Sequence, residues 1–247
     1  MKILNYENNG RGRACEEILA GESCLLPYDT LYLLPIPTTR DGKTLNRCGQ
    51  NITDVVEKAD TGTAFAGYGI PEWAKESIRS RGGAVCDSAE DEIFLEENGR
   101  LTAEGTLGII LTDSKKSIAD LSVGVVGYGR IGKRLVRLLL TLGCRVRVYT
   151  TREGVRLDLG EAGIDCLESR AGADLSGLDI LINTAPSRVF SDEEIPSGLR
   201  IIELASGDNF GTAAVQKYPS LPSVMYPESA GALWAESVVR LFGGGDE

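Results

Sequence analysis

Ser122-Val-Gly-Val-Val-Gly-Tyr-Gly-Arg-Ile-Gly-Lys133 decides how this chain is read. A short apolar run, residues 123–126, meets Gly127-Tyr-Gly-Arg-Ile-Gly132. An amphipathic run follows, with Ile131, Leu135, Leu138, Leu139 and Leu142 at helical spacing. That is a strand, a tight turn and a helix, the order in which an open parallel sheet builds a dinucleotide site. Each glycine has its own task. Gly127 permits the sharp turn, Gly129 lets the backbone approach a pyrophosphate, and Gly132 lets the helix pack closely on the strand. Arg130 and Ile131 open the helix, whose N–H groups and positive dipole end suit phosphate. A second strand, residues 145–149, follows Gly143. The competing reading is a glycine turn in some other α/β unit.

Working outward toward the C-terminus, the second strand runs into Thr150-Thr-Arg-Glu153. A site built for NAD places Asp or Glu at this strand end, on the ribose 2′-OH. Here Thr150 and Thr151 offer neutral hydroxyls and Arg152 a cation suited to a 2′-phosphate, which favours NADP(H) over NAD(H). The alternative is a solvated Arg152 with Glu153 on the ribose. Further strands are expected at residues 164–167, 179–183, 199–204 and 223–226. The fourth of the series ends in Asn183-Thr-Ala-Pro-Ser187, so Asn183, Thr184, Ala185 and Pro186 are expected near ribose and nicotinamide. Arg188 follows as a carboxylate clamp or a plain loop cation. Pro227 starts a last helix, with Ala230, Leu233, Trp234, Val238 and Leu241 inward, and the glycines and acids after it are expected to be disordered.

Upstream, residues 1–101 read as a smaller α/β domain. Residues 2–6 suggest an edge strand, 12–20 a helix with Ala14, Ile18 and Leu19 inward, and 30–36 a strand ended by prolines. The loop Pro37-Thr-Thr-Arg-Asp-Gly42 puts Arg40 at a strand end, as an anion contact or as a surface turn residue. A helical stretch at 54–60 and strands at 64–66 and 84–86 are expected. A helix at 72–81 is expected to bury Trp73 and Ile78. The acidic stretch 87–95 reads as a short helix with a solvated face. Thr102 then looks like an N-cap with Glu104 in the first turn of a helix leading to the nucleotide strand.

Composition narrows the function. The 247 residues carry a formal charge of −10, which argues against a general nucleic-acid or anionic-membrane surface. No run reaches transmembrane length and no signal-peptide core opens the chain, so a cytoplasmic protein is expected. Six scattered cysteines, Cys24 among them, form no CxxC. Free thiols and no metal site are expected. There is no histidine at all. Proton transfer must therefore use Asp, Glu, Lys, Tyr, Cys or water.

The fold class that emerges is α/β: a doubly wound parallel Rossmann sheet over residues 102–227, with a second, smaller α/β domain of residues 1–101 completed by the C-terminal helix, 228–247. In order along the chain, Leu33-Leu-Pro-Ile-Pro-Thr-Thr-Arg-Asp-Gly42, Ala64-Phe-Ala-Gly67, Leu101-Thr-Ala-Glu-Gly105, the glycine fingerprint, Ile182-Asn-Thr-Ala-Pro-Ser187 and Ile202-Glu-Leu-Ala-Ser206 resemble the motifs of the dipicolinate synthase family, in its A subunit. The resemblance implies a fold like that of formate/glycerate-type dehydrogenases. It implies NADP-dependent oxidation of dihydrodipicolinate to dipicolinate, beside a flavoprotein-like B subunit, and a homo-oligomer is expected. On this resemblance Arg40, the hydroxyls of Thr38 and Thr39, and backbone near Thr102 hold substrate carboxylates. Glu104 accepts a proton, and Ser187 and Arg188 lie beside the substrate. A D-2-hydroxyacid dehydrogenase is disfavoured, because that chemistry normally uses a histidine. A nucleotide-binding regulatory protein without turnover is the alternative from another class.

Overall fold

The computed structural model describes residues 1–21, 26–205, 207, 209–211 and 215–243. Cys24, Ser206 and the last four residues, about which the sequence raised expectations, lie outside them. The chain divides into two compact units, one of Met1–Asn98 with the residues from Pro222 onward, the other of Gly99–Leu221.

In the second unit the strands β5 (Ser122–Val126), β6 (Arg145–Thr150), β7 (Asp165–Glu168), β8 (Ile180–Asn183), β9 (Arg200–Glu203) and β10 (Val215–Lys217) form one parallel sheet in the order β10-β9-β8-β5-β6-β7. Numbered within the unit this is 3-2-1-4-5-6 read from the β7 edge, the doubly wound order. Alternation along the strands explains the two buried faces. Val123, Val125, Val146, Val148, Ile180, Ile182 and Ile202 join one core with Leu135, Val136 and Leu139 of α5 (Arg130–Thr141) and Leu159 of α6 (Glu153–Glu161). Val126, Tyr149, Leu181 and Ile201 point the other way, into a core with Phe190, Leu199 and Phe210.

The first unit has its own parallel sheet, β1 (Lys2–Asn5), β2 (Thr30–Leu33), β3 (Thr63–Gly67) and β4 (Ala84–Asp87), in sequential order. One face packs on α2 (Ile52–Val56) and α3 (Glu72–Ser80), through Tyr32, Phe65, Ile52, Val55 and Ile78. The C-terminal helix α8 (Pro227–Gly243) lies against α1 (Gly10–Gly21). Their approach is close enough that a Cβ on Gly231 would stand 2.5 Å from Ala14 Cβ. Arg240 fixes α8 to Asp91 at 2.7 Å, and Ser237 donates to Ser88 Oγ at 3.0 Å.

Several expectations are corrected. The helix expected to begin at Thr102 begins ten residues earlier, because α4 is a single 22-residue helix, Glu92–Asp113. The stretch read as strand at 223–226 is helical (α7, Leu221–Met225), and the sixth strand is β10 instead. In α3 the buried positions are Ala74, Lys75 and Ile78, leaving Trp73 42% exposed. In α1 they are Arg11, Gly12, Cys15 and Leu19, while Ala14 and Ile18 are half-buried. Leu142 is exposed past the end of α5, and Leu241 is half-buried in α8. The acidic stretch 87–95 is solvated only in part: Glu90 and Glu92 are exposed, while Asp87 and Asp91 are buried and bonded.

Candidate functional site

In the second unit the site grows from the turn between β5 and α5. Gly127 has φ +91°, in the region that favours glycine, and its N–H donates to Tyr149 O at 2.8 Å. A Cβ on Gly132 would stand 2.3 Å from Gly127 O, so the helix start is pressed onto the turn. Gly129 is different. No protein atom lies within 4 Å of where its Cβ would be, and it caps α5 without offering a side-chain acceptor to the first turn. A turn open at its middle glycine and tight at the outer two, set at a helix N-terminus, has the shape and polarity for a pyrophosphate. Arg130 and Ile131 occupy the first helical positions.

Neighbouring strand ends complete this region. Thr184 donates through Oγ1 to Val126 O at 2.8 Å and through its N–H at 2.9 Å, bracing the turn. Asn183, 1% exposed, stands at the end of β8 but turns inward. Its Nδ2 donates to Ala185 O at 3.0 Å and to Glu203 Oε1 at 3.0 Å, and its Oδ1 accepts from Ala185 N at 3.1 Å. Asn183 therefore shapes the strand end. Ala185 is half-buried behind it, and Pro186 and Ser187 are exposed. Glu203 is buried beneath them, and desolvation pushes its carboxyl up against the opposing pull of Asn183.

At the end of β6, Thr150 is buried and its Oγ1 accepts from Arg152 N at 3.3 Å, so of the two threonines only Thr151 is exposed. Arg152 is exposed too, and its guanidinium donates to the carbonyl of Tyr128, the residue between the first two glycines. No carboxylate pairs with Arg152 among the described residues. Arg156, for which the sequence suggested no role, donates to Thr150 O at 3.0 Å and adds a second cation at this strand end. The i,i+4 spacing of Arg152 and Arg156 at the start of α6 was the available signal.

Other anticipated residues are engaged elsewhere. Thr102 is buried in the interior of α4, where its carbonyl accepts from Thr106 Oγ1 at 2.8 Å, so its backbone belongs to a helix rather than a helix start. Glu104 pairs with Arg100 at 2.8 Å, four residues earlier on the same helix. Arg188 pairs with Asp192 at 3.0 Å.

Thr38, Thr39 and Arg40 lie in the first unit. The loop after β2 is braced at both ends. Thr38 Oγ1 accepts from Tyr68 N at 3.1 Å, and Asp41 Oδ1 accepts from Lys43 N, Thr44 N and Thr39 Oγ1 at 2.7–3.0 Å. Those bonds hold the Asp41 carboxyl well below the usual carboxylate range. Arg40 is left exposed at the loop tip. The loop's far end returns to Glu7, wholly buried, which Arg47 Nη1 reaches at 3.2 Å. Glu7, Arg11 and Arg47 form a polar cluster around that buried carboxylate, and no sequence spacing announced it.

Residues 102–195 match the family of the D-isomer specific 2-hydroxyacid dehydrogenase NAD binding domain. The A subunit of dipicolinate synthase from Bacillus subtilis is 28% identical over 152 residues. That match covers 57% of this chain and about half, 51%, of the relative. The crystal structure of the dipicolinate synthase A chain from Bacillus subtilis superposes with a TM-score of 0.74 at 18% identity, covering 96% of this chain and 93% of that one. The corresponding structure from Bacillus halodurans gives a TM-score of 0.70 at 24% identity, covering 86% and 79%. In sequence the chain is similar to the dipicolinate synthase A subunit over part of its length, and its fold is that of the Rossmann-type dehydrogenases.

Proposed function

We propose that the chain is an NADP(H)-dependent oxidoreductase that converts dihydrodipicolinate to dipicolinate. The observation that carries this reading is the open Gly129 cradle at the head of β5, in a chain similar in sequence to the dipicolinate synthase A subunit. The cradle fits the pyrophosphate of a dinucleotide: a Cβ at Gly129 meets nothing, and the N-terminus of α5 adjoins the same opening. A bound NADP+ would accept hydride at its nicotinamide ring. Arg152 would read the 2′-phosphate, because guanidinium donors remain beyond the one given to Tyr128 O. Thr151 and the Ala185–Ser187 stretch would flank the riboses. Arg40, on its braced loop, would hold a substrate carboxylate. The chain's task is then alignment: two carboxylates held, the hydride donor placed against its acceptor, and one proton released as the ring becomes aromatic. Association with a B subunit, homo-oligomerisation and a cytoplasmic location belong to the same reading. Among the described residues no helix is long and apolar enough to cross a membrane.

A nucleotide-binding protein without turnover is the second reading. It draws on the engagement of Glu104 with Arg100 and of Arg188 with Asp192, two groups expected to serve the chemistry. One experiment separates the two. The purified protein is titrated with NADPH and, separately, assayed with NADP+ and dihydrodipicolinate generated in situ, with and without a B subunit. Dipicolinate formed together with NADPH supports the oxidoreductase. Tight NADPH binding with no turnover in either condition overturns it in favour of the second reading.

A further inference from the structure

Arg11 lies in the first turn of α1, 2% exposed, and its buried Nε has no hydrogen-bond partner. Buried polar atoms are nearly always paired, so a buried guanidinium Nε–H without an acceptor is an exception that needs a cause. The carboxylate that pulls on it is already engaged. Glu7 accepts from Asn9 Nδ2 at 2.7 Å, from Ile36 N at 3.1 Å and from Arg47 Nη1 at 3.2 Å, and its ion pair is with Arg47. The Glu7 carboxylate is thus bonded to Arg47 and attracts Arg11 through space alone. Burial and the neighbouring Arg47 lower Arg11 to about 10 against the pull of Glu7.

A second buried donor, Asn46 Nδ2, also lacks a partner, and it adjoins Arg47 in the loop after β2. Strands β1 and β2 are paired and parallel, so the segments carrying Arg11 and Asn46 leave the sheet at the same, carboxyl end. Ligands of parallel α/β sheets gather at that end.

We propose that Arg11, with Arg47 across the shared field of Glu7 and Asn46 next to Arg47 in its loop, forms a carboxylate-binding site that takes one carboxylate of a small organic acid, distinct from the exposed Arg40. The planar guanidinium suits a carboxylate, and burial strengthens such a bond. The identification of that acid as a pyridine dicarboxylate rests on the function proposed above; the carboxylate site itself does not.

The test uses the full chain labelled with 15N-arginine, with dipicolinate, succinate and inorganic phosphate as probes. NADPH is titrated separately. With dipicolinate, the Arg11 Nε–H resonance, assigned through side-chain correlations, shifts on binding. Arg11→Lys raises the dipicolinate Kd at least tenfold and leaves the NADPH Kd within twofold. A response to succinate and none to dipicolinate retains the carboxylate site and overturns the pyridine dicarboxylate reading alone. Absent NADPH binding with the Arg11 response intact overturns the cofactor reading alone. An Arg11 signal unmoved by both organic acids, or moved by phosphate alone, overturns the site and leaves water as the partner of Nε. Should Arg11→Lys fail to fold, the wild-type spectra decide.

Discussion

Alanine at Gly129 and alanine at Gly132, in the same turn, should act in different ways. At Gly132 an added methyl would lie 2.3 Å from Gly127 O and 3.0 Å from Gly127 C. The shorter contact is about 1 Å inside the roughly 3.5 Å at which such contacts become favourable. Both partners are backbone, so the turn itself must move. Overpacking of this kind costs about 1–3 kcal/mol, which at about 2–4 °C per kcal/mol for a chain of this size is a fall in Tm of roughly 2–12 °C. At Gly129 the same methyl meets no protein atom, and φ −88° is open to alanine. A weaker helix cap is offset by lost freedom in the unfolded chain, each roughly 0.5–1 kcal/mol, so stability should be unchanged. If a pyrophosphate lies against that backbone, however, the methyl stands in its place. Gly129→Ala should then raise the NADPH Kd at least tenfold, about 1.4 kcal/mol, at constant Tm. Gly132→Ala should lower Tm and weaken NADPH together. Calorimetric melting and titration of both variants read the contrast. Wild-type NADPH affinity in Gly129→Ala would refute the placement of the pyrophosphate. A wild-type Tm in Gly132→Ala would refute the tightness of the turn.

Three more outcomes are expected. Arg152→Ala should raise the NADPH Kd by about 10–100-fold, the range for a charged hydrogen bond of about 1.5–3 kcal/mol, while leaving NADH nearly unchanged; equal effects on both by titration would remove Arg152 from the 2′-phosphate. Glu203 has its folded pKa raised by burial, so between its ordinary value and the raised one the folded state holds more protons than the unfolded, and stability falls as pH rises through that window. Urea unfolding should show that slope in the wild type and lose it in Glu203→Gln; an unchanged slope would assign it to other groups. Asp87 accepts from Gly69 N, Ile70 N and Ala89 N at 2.8–2.9 Å and faces the buried Lys75 at 3.2 Å. Asp87→Ala, which leaves Lys75 without that partner, should cost about 3–5 kcal/mol; a loss below about 1 kcal/mol in denaturant, the scale of an exposed pair, would mean that Glu90 suffices for Lys75.

The second unit was legible because its signals are local. Three glycines at fixed spacing state a backbone geometry, and the alternation in β5, β6, β8 and β9 states two buried faces. Where the sequence misled, tertiary contact decided. Thr102 resembles a helix cap, yet α4 runs through it, and a Cβ on Gly99 would stand only 3.3 Å from Arg130 Cβ. The glycine there serves close packing, at roughly 1 kcal/mol of helix propensity. Strand β10 is an edge strand of three residues, Val215–Lys217, and carries too little apolar pattern to be seen. Pro222 opens α7, a place where proline is tolerated, although Ser-Val-Met-Tyr reads as strand. Trp73 was expected inside as a core position of its helix; α3 instead buries Lys75, which faces Asp87 at 3.2 Å. Arg11 and Glu7 could not be foreseen, since the cation that completes their cluster lies 40 residues away at Arg47.

The absence of histidine selects among the chemistries a Rossmann-type unit can host. Oxidising a hydroxy acid removes a hydride from carbon and a proton from an adjacent hydroxyl, and that proton needs a base tuned near neutrality. No side chain of this sequence has an unperturbed pKa there, and among the described residues the following shifted groups do not fill the gap. Cys15 and Cys86 are driven upward by burial, and Asp179 and Glu194 are held down by hydrogen bonds. Glu203 moves in the right direction but is 2% exposed and bound to Asn183 and Ala205 N. Oxidation of a dihydropyridine makes a smaller demand. Loss of hydride leaves a cation with one proton more than the aromatic pyridine, so that proton departs downhill, and water suffices to take it. What such a reaction asks of the protein is a cradle for the nucleotide and cations for two carboxylates. On the proposed reading the glycine turn of the second unit would supply the first, and Arg40 and Arg11, in the first unit, would supply the second. A pH profile separates the two chemistries. With substrate saturating, turnover of a dihydropyridine diacid should be flat between about pH 6 and 9, whereas a base-dependent oxidation would rise about tenfold per unit below the pKa of its base. A rise of that steepness would show that a titrating base takes the proton and would overturn the assignment of that step to water.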